Sequence, residues 1–213
     1  MQTTIFPLEN NSLYDGEIFS RHNFSKKQFE SITFNQCTFK QCDFSDSQWH
    51  NCQFEKCHLM DCNFSLAKIP GCHFIEADFH KSKLIGINWS ETVNTSKSLI
   101  QRKPFDFNQC ILNHSVFFGM NLREVTFQEC SMINVNFEEA NLSKANCTKS
   151  DFKQALFKRT NLTETNFTGA LNYAINPQEN TFKKTRFSLP EAVSLLYNLD
   201  IVLEDAPYGE QNA

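Results

Sequence analysis

A thiol stands beside an imidazole twice in this chain, at Cys57-His58 and Cys72-His73, and thiolate with imidazole is a common zinc donor set. There are nine cysteines, and Cys37/Cys57, Cys42/Cys62, Cys52/Cys72 and Cys110/Cys130 each lie 20 residues apart, which raises disulfide chemistry as well. Triplets such as Asn23-Phe24-Ser25, Asn63-Phe64-Ser65, Asn161-Leu162-Thr163 and Asn166-Phe167-Thr168 match glycan acceptors. Lys97, Arg102 and Lys103 gather positive charge in one short segment. Whether any of these groups can act depends on the elements that carry them.

Those elements have a period of five. From Phe24, every fifth residue is apolar through Phe29, Phe34, Phe39, Phe44, Trp49, Phe54, Leu59, Phe64, Ile69, Phe74, Phe79, Leu84 and Trp89. Two residues before the centres lie small groups, among them Cys37, Cys42, Cys52, Cys57, Cys62, Ala67, Cys72 and Ala77. Neither a helix nor a flat strand places every fifth residue on one face. A square coil of five-residue sides does, with one large and one small group pointing inward per side. The phase lapses after Trp89 and returns shifted by three at Phe107, Leu112, Phe117, Leu122, Phe127, Met132, Phe137, Leu142, Cys147, Phe152, Phe157, Leu162 and Phe167. The expected core markers are Phe34, Phe39, Phe44, Phe54, Phe74, Phe117, Phe137 and Phe157.

Charge supplies an independent measure of the coil. Residues one turn apart stack at ~4.8 Å, where unlike charges help and like charges repel. At a separation of 20, Lys26 meets Asp46, Lys56 meets Glu76, Asp61 meets Lys81, Glu129 meets Lys149, Glu138 meets Lys158 and Glu139 meets Arg159. Glu124, Lys144 and Glu164 alternate along one column. Twenty residues per turn, four sides of five, follows from these pairs. Some seven such coils give a rod of ~35 Å.

On this frame the opening candidates lose their chemistry. The cysteines point inward and the adjacent histidines outward, so they cannot share one metal, and parallel Cβ vectors suit a disulfide poorly. With no basic-then-apolar leader and no 18-residue apolar run, the expectation is a cytoplasmic chain with reduced thiols and no membrane span. The Asn-x-Ser/Thr triplets follow from the repeat, which favours Asn before the centre and Ser or Thr after it. No Gly-x-Gly occurs, and a coil packed with Phe offers no pocket for a nucleophile and its base. Enzyme is therefore the least expected class, with no catalytic residue, metal or cofactor. A net charge of −4 gives no basic footprint for direct nucleic-acid binding.

The chain divides into a first β-helix block at 1–89, a joint at 90–106, a second block at 107–171 and a terminal cap at 172–213. The joint reads either as a bulge, with Leu99, Ile100 or Phe105 tucked against a coil face, or as a projecting loop whose Lys97, Arg102 and Lys103 touch a partner. The cap carries Ser188 and Glu191 at capping-box spacing and Pro190 in the first turn. That pattern predicts a helix over about 189–199 with Leu189, Val193, Leu196 and Leu199 on its apolar side, then a strand at Ile201, Val202 and Leu203. One apolar face of this segment would close the coil, and another would meet a second copy in a two-fold dimer.

ANLSK at 140–144, SDFKQ at 150–154 and TNLTE at 160–164 resemble the pentapeptide-repeat family, and the likeness covers about 150 residues. It implies an all-β, right-handed quadrilateral β-helix with a capping α-helix and short strand. The order of two blocks, joint and helical tail resembles the Qnr, MfpA and microcin-immunity type within that family, as does the tail ALNYAINPQEN…LPEAVSLLYNLDIVL. The resemblance implies a dimeric, DNA-mimicking rod that binds DNA gyrase or topoisomerase IV and protects it from quinolone-like or peptide inhibitors, hence antibiotic resistance. The alternative is a non-catalytic cytosolic scaffold unrelated to topoisomerases. A continuous acidic stripe would favour the first, and a salt-bridged neutral surface the second.

Overall fold

The computed structural model describes residues 7–93, 103–199, 201, 202 and 204. The chain winds as an all-β parallel solenoid whose short strands pair with the next turn in register. Thr33–Asn35 pairs with Gln53–Glu55, and Gln53–Glu55 with His73–Ile75, so that Phe34 meets Phe54 and Phe54 meets Phe74. Backbone N–H groups reach both ways: Gln36 donates to the Glu55 carbonyl at 2.8 Å, and Thr33 to the Ser12 carbonyl at 2.9 Å. Every turn thus leans on two others, which satisfies backbone groups that a lone three-residue strand would leave open.

One side of the coil can be followed from end to end through residues 18, 38, 58, 78, 106, 126, 146, 166 and 186. That is nine levels, or about 38 Å of rise. The expected seven coils and the end of the second block at 171 fall short. Asn161 bridges Thr181 and Asn166 bridges Arg186, so the coil runs on to Phe187. The phase itself continues there, because Phe182 and Phe187 stand one full turn after Leu162 and Phe167.

The core is built of stacked rings. Phe34, Phe54 and Phe74 stack at 5.0 Å steps, and Phe117, Phe137 and Phe157 at 5.3 and 5.4 Å. These six, with Phe39 and Phe44, are buried. The nine cysteines are buried too, with free thiols. Their small size is only part of the reason for their place. Cys42 Sγ donates to the Phe19 carbonyl and Cys57 Sγ to that of Phe34, each 23 residues back. Ser82, Ser150, Thr160 and Thr165 make the same bond with a hydroxyl. The inner corner accepts any small side chain with a hydrogen to give.

The joint does not break the ladder. Asp78 pairs with Asp106, Lys83 with Ile111 and Asn88 with Val116, so this one turn is longer than the rest. Eight extra residues leave and re-enter at one side, which produces the phase shift of three. Phe105 corrects an expectation: it lies inside the coil, in register with Ala77 and against Trp89 at 4.9 Å, not on an outer face. The small Ala77 leaves room for it. The new register also stacks two carboxylates, Asp78 on Asp106, which the regular count does not reveal. Asn108 donates to Asp78 at 3.4 Å, His58 lies 3.8 Å from Asp78, and Lys103 pairs with Asp106.

The tail departs further from its sequence pattern. The helical stretch is a 3-10 helix, Glu191–Asn198, not an α-helix over 189–199. Ser188 and Glu191 form no capping box, since Ser188 Oγ accepts from Gly169 N–H at 2.9 Å and Glu191 Oε1 from Asn172 N–H at 2.6 Å. Ser194 Oγ donates to the Tyr173 carbonyl at 3.1 Å. Glu191 and Ser194, three residues apart, lie in one row of a 3-10 helix. Their two bonds to the coil end favour the tighter helix, and Ser188 ties down the chain just before it. Ile201 and Val202 are in no strand, and Leu203 lies outside the described residues.

Two outcomes follow. Phe54→Ala empties the middle of a ring stack and should cost about 3–5 kcal/mol, whereas Gln53→Ser, one residue earlier, should stay within about 0.5 kcal/mol in urea unfolding. Equal losses would refute the inward phase. Asp78→Asn keeps the oxygen that Asn108 donates to and removes one of two stacked carboxylates. At low salt it should raise the melting temperature slightly, with the gain shrinking as salt is added.

Candidate functional site

Among the described residues the surface offers three kinds of place for a partner: the coil corners, the joint and the C-terminal end. The corners lie two residues past each centre, where the backbone turns with positive φ. Lys26, Asp46, Lys56, Glu76, Asp61, Lys81, Glu129 and Lys149 all stand there, with φ between 49 and 59°. Left-handed backbone is unfavourable for side chains with a Cβ, yet the coil requires it at every fifth residue. An Asx turn supports many of these corners. Asn23 Oδ1 accepts from Ser25 N–H at 2.8 Å, and Asn63, Asn141, Asn161 and Asn166 repeat the contact. The Asn-x-Ser/Thr triplets are this turn.

The corners hold the charge columns read from the sequence. Arg159 reaches Glu139 at 2.5 Å, Lys149 reaches Glu129 at 3.4 Å and Lys144 reaches Glu124 at 4.0 Å. Gln109 also donates to Glu129, and that hydrogen bond, then Lys149, holds the Glu129 carboxyl below its usual range. Lys184 extends the alternating column Glu124, Lys144, Glu164 by one level. No side of the described coil carries an unbroken run of carboxylates.

At the joint, Lys97 and Arg102 lie outside the described residues. Lys103 is described, and its ammonium is bound to Asp106 at the foot of the insertion rather than projecting free. Its carbonyl accepts from Glu76 N–H at 3.0 Å, so Lys103 belongs to the coil as much as to the loop.

At the C-terminal end the polar row of the helix faces the coil. Leu195 packs partly buried against the core, and Asn198 donates to the Ile175 carbonyl at 3.4 Å. Tyr173 is buried in the last turn, its phenol pushed up to about 12 by burial and then by the charge of Glu191. Other side chains of this end are exposed: Val193 and Leu196 on the helix with Tyr197 at 74%, and flanking the helix Leu189 at 80%, Ile201 at 51% and Val202 at 84%. Leu199 is half-buried.

The thiols present no chemistry to solvent. Hydrogen bonding to Cys37, then burial, holds the Cys57 thiol well above its ordinary range, and burial alone does so for Cys147. His58 is exposed and His73 half-buried while Cys57 and Cys72 are inside, so neither pair converges. Among the described residues no three metal-ligating side chains are grouped, and no helix is long and apolar enough to cross a membrane. Sequence reasoning missed the left-handed corners, the Asp78–Asp106 stack and the last coil. The continued spacing of Phe182 and Phe187 was the signal for the third.

The model of the pentapeptide repeat region matches residues 32–106 and 102–167. Among solved structures the fold is similar to that of QnrB1, a plasmid-mediated fluoroquinolone resistance protein. A trypsin-treated point variant of QnrB1 superposes with a TM-score of 0.68 at 15% identity, covering 92% of this chain and 99% of that one. The full-length form gives 0.57 at 17% identity, covering 91% and 99%. No curated protein matches by sequence. With the five-residue phase, the turn-to-turn register and the matched model in agreement, the chain belongs to the pentapeptide-repeat family.

Proposed function

We propose that this chain is a non-catalytic rod that binds DNA gyrase or topoisomerase IV and protects it from quinolone-like or peptide inhibitors. The observation that supports this best is the likeness to QnrB1 over 92% of this chain and 99% of that one. The rod's ~38 Å rise supports it in shape, since two rods end to end match roughly twenty base pairs of duplex. In this reading the partner meets the rod along its length, and the joint with Lys97, Arg102 and Lys103 tunes the contact. The test is gyrase supercoiling with a fluoroquinolone present, titrating this protein. Supercoiling should recover as the protein approaches the enzyme's concentration. Deleting residues 95–101, which spares the Lys103 carbonyl, should leave the melting transition intact and weaken the rescue. No change in gyrase or topoisomerase IV activity at large excess would sink the proposal.

The same reading makes the protein a homodimer through its C-terminal end. The exposed Leu189, Val193, Leu196 and Tyr197 with Ile201 and Val202 support this, because an apolar patch at a rod's end favours a closed two-fold contact. Leu196→Glu should convert a dimer to a monomer in sedimentation equilibrium without lowering the monomer's β signal. A dimer that survives this change with Tyr197→Glu added would refute the contact.

A scaffold unrelated to topoisomerases is the second reading, and one observation favours it. The charge columns are neutralised, as at Glu139–Arg159 and Glu129–Lys149, where a duplex mimic relies on a run of negative charge.

A further inference from the structure

One corner of the coil carries a cation, Arg186, beside its alternating column. Lys144, Glu164 and Lys184 stack on three successive levels, and Arg186 lies beside Lys184 on the next side. Together with Asn146 and Asn166 they line an open groove of about 570 Å³ near the C-terminal end. Three cations meet one carboxylate there. Lys144 has its nearest carboxylate, Glu124, at 4.0 Å, and neither Lys184 nor Arg186 forms an ion pair among the described residues. All four charged side chains are exposed.

The two asparagines add direction. Asn146 Oδ1 accepts from Thr148 N–H at 3.2 Å and Asn166 Oδ1 from Thr168 N–H at 3.1 Å, which fixes each carboxamide oxygen in its turn. Their NH2 groups donate to no protein acceptor among the described residues. The groove therefore presents guanidinium, ammonium and amide donors, with Glu164 as the one carboxylate in its lining.

We propose that this groove binds an acidic segment of a partner protein. Glu164 decides between a peptide and a nucleic acid. A phosphodiester backbone is charged at every linkage and has no neutral position to set against the middle level. A peptide in extended form sends alternate side chains to opposite faces, at about 6.8 Å between like-facing residues. Two of its carboxylates, about 6.8 Å apart at the backbone, can splay to meet Lys144 and the Lys184–Arg186 pair, about 9.6 Å apart over two levels, because the long side chains on both partners cover the ~3 Å difference, and Glu164 is left unopposed. Arg186 suits a carboxylate because its planar fork can donate to both oxygens. The contact is independent of the topoisomerase reading, since a surface built to receive duplex DNA is basic and would avoid this corner.

The experiment uses fluorescein-labelled hexaglutamate and the full-length protein, read by anisotropy. The wild type should bind at low salt and release the peptide as salt rises. Lys184→Gln with Arg186→Gln should weaken binding at least tenfold, and Glu164→Gln should tighten it a few-fold. Gln already occupies the corner position of Glu164 and Lys184 at Gln36 and Gln41, and the position of Arg186, one before a centre, at Gln48 and Gln53, so the fold should hold, and an unchanged melting temperature checks it. Lys26→Gln with Lys68→Gln removes the same charge elsewhere and should leave affinity within twofold. An equal loss in that control, no binding by the wild type, or tighter binding of labelled hexathymidylate than of the peptide would each overturn the proposal.

Discussion

Every feature of this rod rests on the hydrogen bonds between successive turns. Such short strands cannot hold themselves together, and here each is held by the strand one turn before it and the strand one turn after. The spacing is a consequence of the square section: four sides of five return the chain to the same face one strand-width higher. Given that return, a ring must lie on a ring, a small donor on a small donor, and a corner on a corner. The phenylalanine stacks, the thiol-to-carbonyl bonds and the charge columns are three outcomes of one register.

The register also explains what the surface can be. Corner residues stack at a distance where like charges repel, so the chain alternates them, and alternation cancels the far field. Recognition along the coil is then a matter of shape and of local exceptions. The exceptions fall where alternation fails: at Asp78 on Asp106, created by the insertion, and at the Lys144–Arg186 groove, where Arg186 stacks on Asn166 rather than on a carboxylate.

Much of this was legible in the sequence because a solenoid converts period directly into position. Phe54 could be placed inside and Gln53 outside from spacing alone, and Glu139 could be paired with Arg159 before any coordinate. What escaped notice depended on contacts between segments whose distance the period does not fix. Phe105 took an inner corner because Ala77, across the insertion, left space. Ser188 and Glu191 carried a helix-capping pattern, but the open N–H groups of Gly169 and Asn172 at the coil end competed for the same oxygens and won. The tail's long apolar stripe was visible, while its division, with Leu195 packed on the core and Val193, Leu196 and Tyr197 left outside, depended on where the coil end binds Glu191 and Ser194.

The ladder's passage across the one long turn, from Asp78 to Asp106, has a structural corollary. The chain is still bonded to the coil at Val93 and is bonded to it again at Lys103, and the strands before and after the insertion pair in register. Excursion length is thus decoupled from the geometry of the rod, provided the returning segment supplies a ring for that corner. The side between Trp89 and Phe107 is built as a socket, whose two rims are fixed by the coil and not by the segment it holds.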